Sequence, residues 1–89
     1  MNVAAFEWDR HNIDHIARHH VNPDEVEEIF ESRHYLAGGR DGRYLVLGRS
    51  AEGRYLFCVI ERSSKSEAYR VVTARDMELW ERKLYKRKR

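Results

Sequence analysis

The stretch of this sequence best equipped for chemistry is Tyr69-Arg70-Val71-Val72-Thr73-Ala74-Arg75-Asp76. Alternation along a strand puts Tyr69, Val71 and Thr73 on one face and Arg70, Val72 and Ala74 on the other. Arg70 therefore lies mid-strand among apolar neighbours. Arg75 falls where the strand gives way to a helix that Asp76 can cap. Two guanidiniums so placed can grip a phosphate or a carboxylate through paired hydrogen bonds. A buried cation without a partner is costly, so each needs an anion. A ligand can supply it, and so can the protein, in which case the two arginines are internal ion pairs.

The elements that position these residues belong to a chain of 89 residues, short enough for one domain over 1–89 with a modest core. The lone Cys58 sits in an apolar run and cannot form an internal disulfide, which suits a reducing cytosol. No apolar stretch is long enough to span a membrane, and Met1–Glu7 has neither the basic region nor the apolar segment of a signal peptide. A cytoplasmic location is the expectation. The net charge of +2 conceals an asymmetry. Residues 1–32 carry two arginines against eight acids, a net −6, and residues 33–89 carry fifteen bases against seven acids, a net +8. A basic back half suits a polyanion, although a basic terminal run can also be merely solvated.

Phe6-Glu7-Trp8-Asp9 alternates apolar and polar residues and reads as a short strand. Asp9 then caps a helix whose buried stripe is Ile13, Ile16, Ala17 and His20, with His11, His15 and His19 facing outward. The helix stops at His19-His20-Val21. Asn22-Pro23-Asp24-Glu25 starts a second one, with an N-cap, a proline in the first turn and a capping glutamate. Its inner face is Val26, Ile29 and Phe30. Tyr35-Leu36 begins a strand before the turn Gly38-Gly39-Arg40-Asp41-Gly42. Arg43 to Arg49 and Arg54 to Glu61 form a hairpin about Ser50-Ala51-Glu52-Gly53. Arg62 to Ser66 leads into the strand described first. A last helix runs from Met77 to Arg87, with Met77, Trp80 and Leu84 inward; Trp8, Trp80 and Phe57 are assigned to the core. The order is β-α-α-β-β-β-β-α. Short turns make consecutive strands antiparallel, giving an α+β domain in which helices cover one face of a small curled sheet. The histidine ladder has zinc-like i, i+4 spacing, yet no cysteine pair or ordered carboxylate accompanies it. No metal and no cofactor is expected.

Phe6-Glu7-Trp8-Asp9, Arg18-His19-His20-Val21, Arg70-Val71-Val72-Thr73-Ala74-Arg75 and Glu81-Arg82-Lys83-Leu84-Tyr85 together resemble the BrnT-type toxins, with the motifs in order over nearly the whole chain. These are small ribonuclease toxins of bacterial type II toxin–antitoxin systems with a RelE-like fold. His20 stands where that family usually has a glycine terminating the helix in a left-handed conformation. The resemblance implies metal-independent cleavage of mRNA that inhibits translation and growth, and neutralisation by a cognate antitoxin. It also implies a homodimer or a heterotetramer with the antitoxin, and DNA contact only through that antitoxin. The alternative is a toxin scaffold without cleavage, acting in an antitoxin–DNA regulatory complex.

Cleaving RNA without a metal takes a base for the ribose 2′-OH, cations for the phosphorane and an acid for the leaving oxygen. Arg70 and Arg75 are the candidates for phosphate. His19 is the candidate for proton transfer, or else a helix-terminal histidine stabilising the dipole. Glu61 is a base or a salt-bridge partner of Arg70. Substrate contacts fall to Arg49, which can complete a cationic pocket, to His15, to Tyr85 by hydrogen bonding or stacking, and to Lys86 in the basic terminal run.

Overall fold

The chain builds its sheet from one uninterrupted meander. A computed structural model describes residues 5–65 and 67–88. Strands β1 (His34–Gly38), β2 (Arg43–Arg49), β3 (Tyr55–Arg62) and β4 (Tyr69–Asp76) lie in the order β1-β2-β3-β4, each antiparallel to the next. The helices are α1 (Arg10–Ala17), α2 (Pro23–Glu31) and α3 (Leu79–Lys88), so the order is α-α-β-β-β-β-α. The strand expected at residues 6–9 reduces to one parallel bridge, Phe6 to Tyr69. Asp9 already caps α1, which leaves no length for more pairing.

Both predicted helix starts are built as capping boxes. The Asp9 carboxylate accepts the Asn12 N–H at 3.0 Å, and the Asn12 side chain accepts the Asp9 N–H at 2.9 Å. Asn22 and Glu25 exchange the same pair at 2.9 and 3.1 Å, with Pro23 in the first turn. In α1 the capping box also sets the helix phase. Asn12 donates to the Glu7 carbonyl at 3.1 Å and is buried beside Ile16, so Ile13 turns outward, 36% exposed, and Ala17 and His20 are exposed too. The helix closes where expected. His20 takes φ 60°, its N–H reaches the Ala17 carbonyl at 2.9 Å, and the Val21 N–H reaches the Ile16 carbonyl at 3.2 Å. That is the left-handed terminus glycine usually supplies.

Strand alternation gives the sheet two apolar faces. Val46, Leu56, Cys58, Ile60, Val71 and Ala74 pack under α1 and α2 with Ile16, Val26 and Ile29. Gly48 lies where α2 comes closest, since a Cβ there would stand 2.8 Å from Ile29 Cβ. The opposite face carries Leu47, Phe57, Tyr35 and Tyr55 against Met77, Leu84 and Tyr85. Helices α1 and α2 thus share one face as expected, whereas α3 lies on the other. Its inner stripe differs as well: Glu81 and Tyr85 are buried and Trp80 is 61% exposed. The reason is where the helix begins. Strand β4 continues through Asp76, the Met77 N–H bonds the Tyr55 carbonyl at 3.0 Å, and α3 starts only at Leu79. Asp76 is therefore not its cap. The Glu81 carboxylate instead accepts the Glu78 N–H at 2.7 Å.

A bulge between Val59 and Ile60 breaks the alternation expected of β4. Thr73 pairs with Val59 but Val71 with Ile60, so Val72 is the extra residue. Arg70 then faces Glu61 and Arg75 faces Phe57 in register, and the two arginines share the face that α3 occupies. No helix among the described residues is long and apolar enough to cross a membrane.

Candidate functional site

Each arginine of β4 is closed by its own acids. Arg70 donates to Glu7 at 3.1 Å and to Asp9 at 2.8 Å, both in the segment that bridges onto Tyr69. The Asn12 N–H, and then Arg70, hold the Asp9 carboxyl below its usual range, while Asp9 and Glu7 raise the guanidinium. Arg75 makes a two-pronged pair with Glu81 at 2.8 and 3.0 Å and lies over the Phe57 ring, 4.1 Å from its centroid. Glu81 is only 2% exposed. Burial pushes its carboxyl up, but Arg75 and the Glu78 N–H outweigh that and leave it below the usual value. Of the two possibilities open for Arg70 and Arg75, the structure displays the internal ion pairs.

The other catalytic candidates do not join them. Glu61 stands opposite Arg43 and Arg70 in register, and its ion pair, at 3.2 Å, is with Arg43. His19 is exposed after α1, its ring edge-on to His15 at 6.0 Å. Among the described residues neither histidine makes a hydrogen bond or ion pair from its ring to Arg70, Arg75 or Glu61. The His19 carbonyl is used, though, by Arg54. This guanidinium donates to Asp76 at 2.7 and 3.2 Å, to Glu25 at 3.2 and 3.3 Å and to the carbonyls of His19 and His20. It ties the end of α1, the start of α2 and the end of β4 together, and it pulls the Asp76 carboxyl down. Sequence reasoning passed over Arg54, because its partners are 22 to 35 residues away.

Three residues expected at substrate do come together, around Tyr55. Arg49 and Tyr55 are register partners across β2 and β3, and the Arg49 guanidinium lies 4.9 Å from the Tyr55 ring centroid. From α3, the Arg82 guanidinium lies 4.2 Å and the Lys86 ammonium 5.5 Å from the same centroid. Arg82 and Lys86 are four apart on one helix face, the spacing that marks Arg82 in the sequence once Lys86 is singled out. Tyr85 completes the group edge-on to Tyr55 at 6.0 Å. The residue is 5% exposed and its hydroxyl donates to the Arg33 carbonyl at 3.0 Å, so it anchors α3 and is covered against stacking on a base. His15 lies outside this group, on α1.

The chain matches no family model and no curated protein sequence. The likeness to the BrnT-type toxins accordingly rests on the residues quoted for it above. No group of three or more His, Cys, Asp or Glu side chains among the described residues is placed to share a metal ion.

The electrostatics of the Tyr55 cluster set what it can do. Each exposed cation over a ring gains about 0.5–1 kcal/mol, which offsets the repulsion of three like charges without neutralising them. Arg49, Arg82 and Lys86 form no ion pair with any described acid. Lys83, Arg87 and Lys88 extend the positive surface along α3. The arrangement can hold adjacent phosphates of a flexible backbone. Beside it, a cleft of about 480 Å³ opens between α2, the β2–β3 hairpin and α3, lined by Glu28, Glu31, Arg33, Arg49 and Tyr85 among others.

Proposed function

We propose that this chain is the RNA-directed toxin of a type II toxin–antitoxin pair, engaging the RNA backbone through Arg49, Arg82 and Lys86. The observation that carries the proposal is the gathering of three cations without acid partners about one tyrosine. A protein gains nothing in fold stability from crowding like charges, whereas a polyanion that releases its counterions on binding gains affinity from each. The motifs shared with BrnT-type toxins supply the type of polyanion and the biological setting. In that setting a cognate antitoxin neutralises the chain by covering its basic surface, within a heterotetramer or over a homodimer, and DNA is met only through the antitoxin. Metal-independent cleavage of mRNA is the activity such a toxin would exert on translation and growth.

A second reading, a binding module without cleavage, is favoured by one specific observation. Arg70 and Arg75 already hold Glu7, Asp9 and Glu81. One experiment addresses both readings. Purified protein is titrated into labelled single-stranded RNA over a range of salt, and the same RNA is run on a denaturing gel after incubation with a chelator. Binding that weakens with salt, with a shallower slope in Arg82→Ala and Lys86→Ala, is the expected result. Binding indifferent to salt and to both substitutions would overturn the assigned surface. Cut RNA identifies the nuclease; intact RNA, with tight binding to the neighbouring gene's product, identifies the module.

A further inference from the structure

The cleft beside the Tyr55 cluster carries both signs of charge. Glu28 and Glu31, three apart, share one face of α2. They line the cleft together with Arg33 and Arg49. Yet neither arginine pairs with either glutamate, or with any other described acid. Glu28 is steadied by accepting the Ala51 N–H at 3.0 Å through Oε1. Two carboxylates and two guanidiniums in one cleft, with hydrogen-bonding capacity left over, call for a ligand that offers adjacent donors and adjacent acceptors.

Among the RNA bases guanine alone offers both in pairs. Its O6 and N7 are two acceptors side by side, the pattern a guanidinium fork matches. Its N1–H and N2–H are two donors side by side, the pattern a carboxylate matches. Adenine has one exocyclic donor group, and uracil lacks the paired acceptors that a fork requires. Arg49 belongs to the cleft and to the Tyr55 cluster alike, so a base in the cleft is continuous with a phosphate on the cluster. We infer that this cleft reads a guanine of the bound strand, with Glu31 and Glu28 on the N1 and N2 edge and Arg33 on the O6 and N7 edge. The inference rests on the RNA-binding reading above and adds base preference to it.

The test compares the affinity of the protein for a short oligouridine, for the same strand with one central guanosine, and for the strand with adenosine there. The guanosine strand binds roughly tenfold tighter than oligouridine, from one good bidentate contact, and the adenosine strand does not. The ratio of affinities, which a uniform change of charge leaves alone, falls towards one in Glu31→Gln and in Glu28→Gln. Glu31 is exposed and its substitution leaves the core untouched. Equal affinity for all three strands overturns the inference and leaves RNA binding standing. An equal gain with adenosine overturns the guanine assignment, and so does a ratio that survives both substitutions. Failure to bind any strand overturns the parent reading with it.

Discussion

Removing Arg75 from under α3 should cost more stability than removing the carboxylate it holds. Glu81 is 2% exposed, and its charge is compensated by Arg75 at 2.8 and 3.0 Å and by the Glu78 N–H at 2.7 Å. Arg75→Met keeps the aliphatic stem over Phe57 but leaves a buried carboxylate without its cation. Breaking such a pair from one side costs about 3–5 kcal/mol. The Arg75 side chain is 32% exposed, so the low end, about 3 kcal/mol, applies. Glu81→Gln is the asymmetric partner experiment. It keeps the shape and one acceptor, and the guanidinium left behind already reaches water, so its cost is about 1–2 kcal/mol. Urea unfolding followed by far-ultraviolet circular dichroism measures both, provided the slope stays constant. Equal costs, or a cost below about 1 kcal/mol for Arg75→Met, would refute the argument. The consequence reaches function. A chain this long has about 5–13 kcal/mol of stability in all, so under the toxin reading proposed above, relief of growth arrest by Arg75→Ala would follow from unfolding alone. The informative variant is Arg75→Met with Glu81→Leu, which removes both charges at once. Should the unaltered chain arrest growth, as the toxin reading expects, a folded double variant that arrests it equally would exclude Arg75 from catalysis.

Acid should destabilise the fold through the same ion pairs. The carboxyls of Asp9, Asp76 and Glu81 are all held below their reference values of 3.8, 3.8 and 4.5. Their contribution is therefore complete above those values and lost as pH falls through the lower, folded ones. The urea midpoint should drop below about pH 4; a midpoint that rises there contradicts the assignment. His20→Gly should raise stability by roughly 0.5 kcal/mol, because it removes the left-handed penalty at φ 60° and returns part of the gain as chain entropy. Thermal melts measure it, and a destabilised glycine variant would show that the His20 side chain matters more than its backbone. Cys58 is fully buried, which pushes its thiol up to about 12. At neutral pH a thiol reagent should label it only as fast as the protein opens, and immediate stoichiometric labelling would contradict that burial.

The parts legible in the sequence are those governed by neighbours. Asp9 and Asn22-Pro23-Asp24-Glu25 announce their helix starts through side chains three residues apart. The left-handed terminus at His20 is suggested only by the resemblance, which places a glycine there; periodicity alone puts His20 in the buried stripe. The Ser50 to Gly53 hairpin follows from two apolar runs with a short polar join, closed here by the Gly53 N–H on the Ser50 carbonyl at 2.9 Å. What stayed hidden depends on residues far apart. Nothing local marks the bulge beside Val59, and that bulge alone decides which face Arg70 takes. Helix α1 is turned by Asn12 binding the Glu7 carbonyl, a polar contact that an apolar stripe cannot foretell. Helix α3 buries Glu81 rather than Trp80 because it begins only at Leu79, and Arg75 compensates the carboxylate so buried. Arg49, Tyr85 and Lys86 each stand out singly, but their meeting at Tyr55 needs the β2–β3 register and the placement of α3.

The charge asymmetry of the chain acquires a different meaning once these contacts are known. Taken linearly, an acidic front and a basic back suggest two opposed surfaces. In the fold, three of the eight front acids are taken up by the back: Glu7 and Asp9 hold Arg70, and Glu25 helps hold Arg54. These are long-range pairs, and they fasten the first two helices and the segment before them to the sheet. Their partners are arginines whose planar forks suit such fixed geometry. Among the cations left over are Arg49 on the sheet and, on α3, Arg82 and Lys86, which meet at Tyr55. Under the reading proposed above, phosphate contact falls to Arg49, Arg82 and Lys86, which pair with no described acid. The two arginines that the motif of β4 makes conspicuous owe their positions to folding.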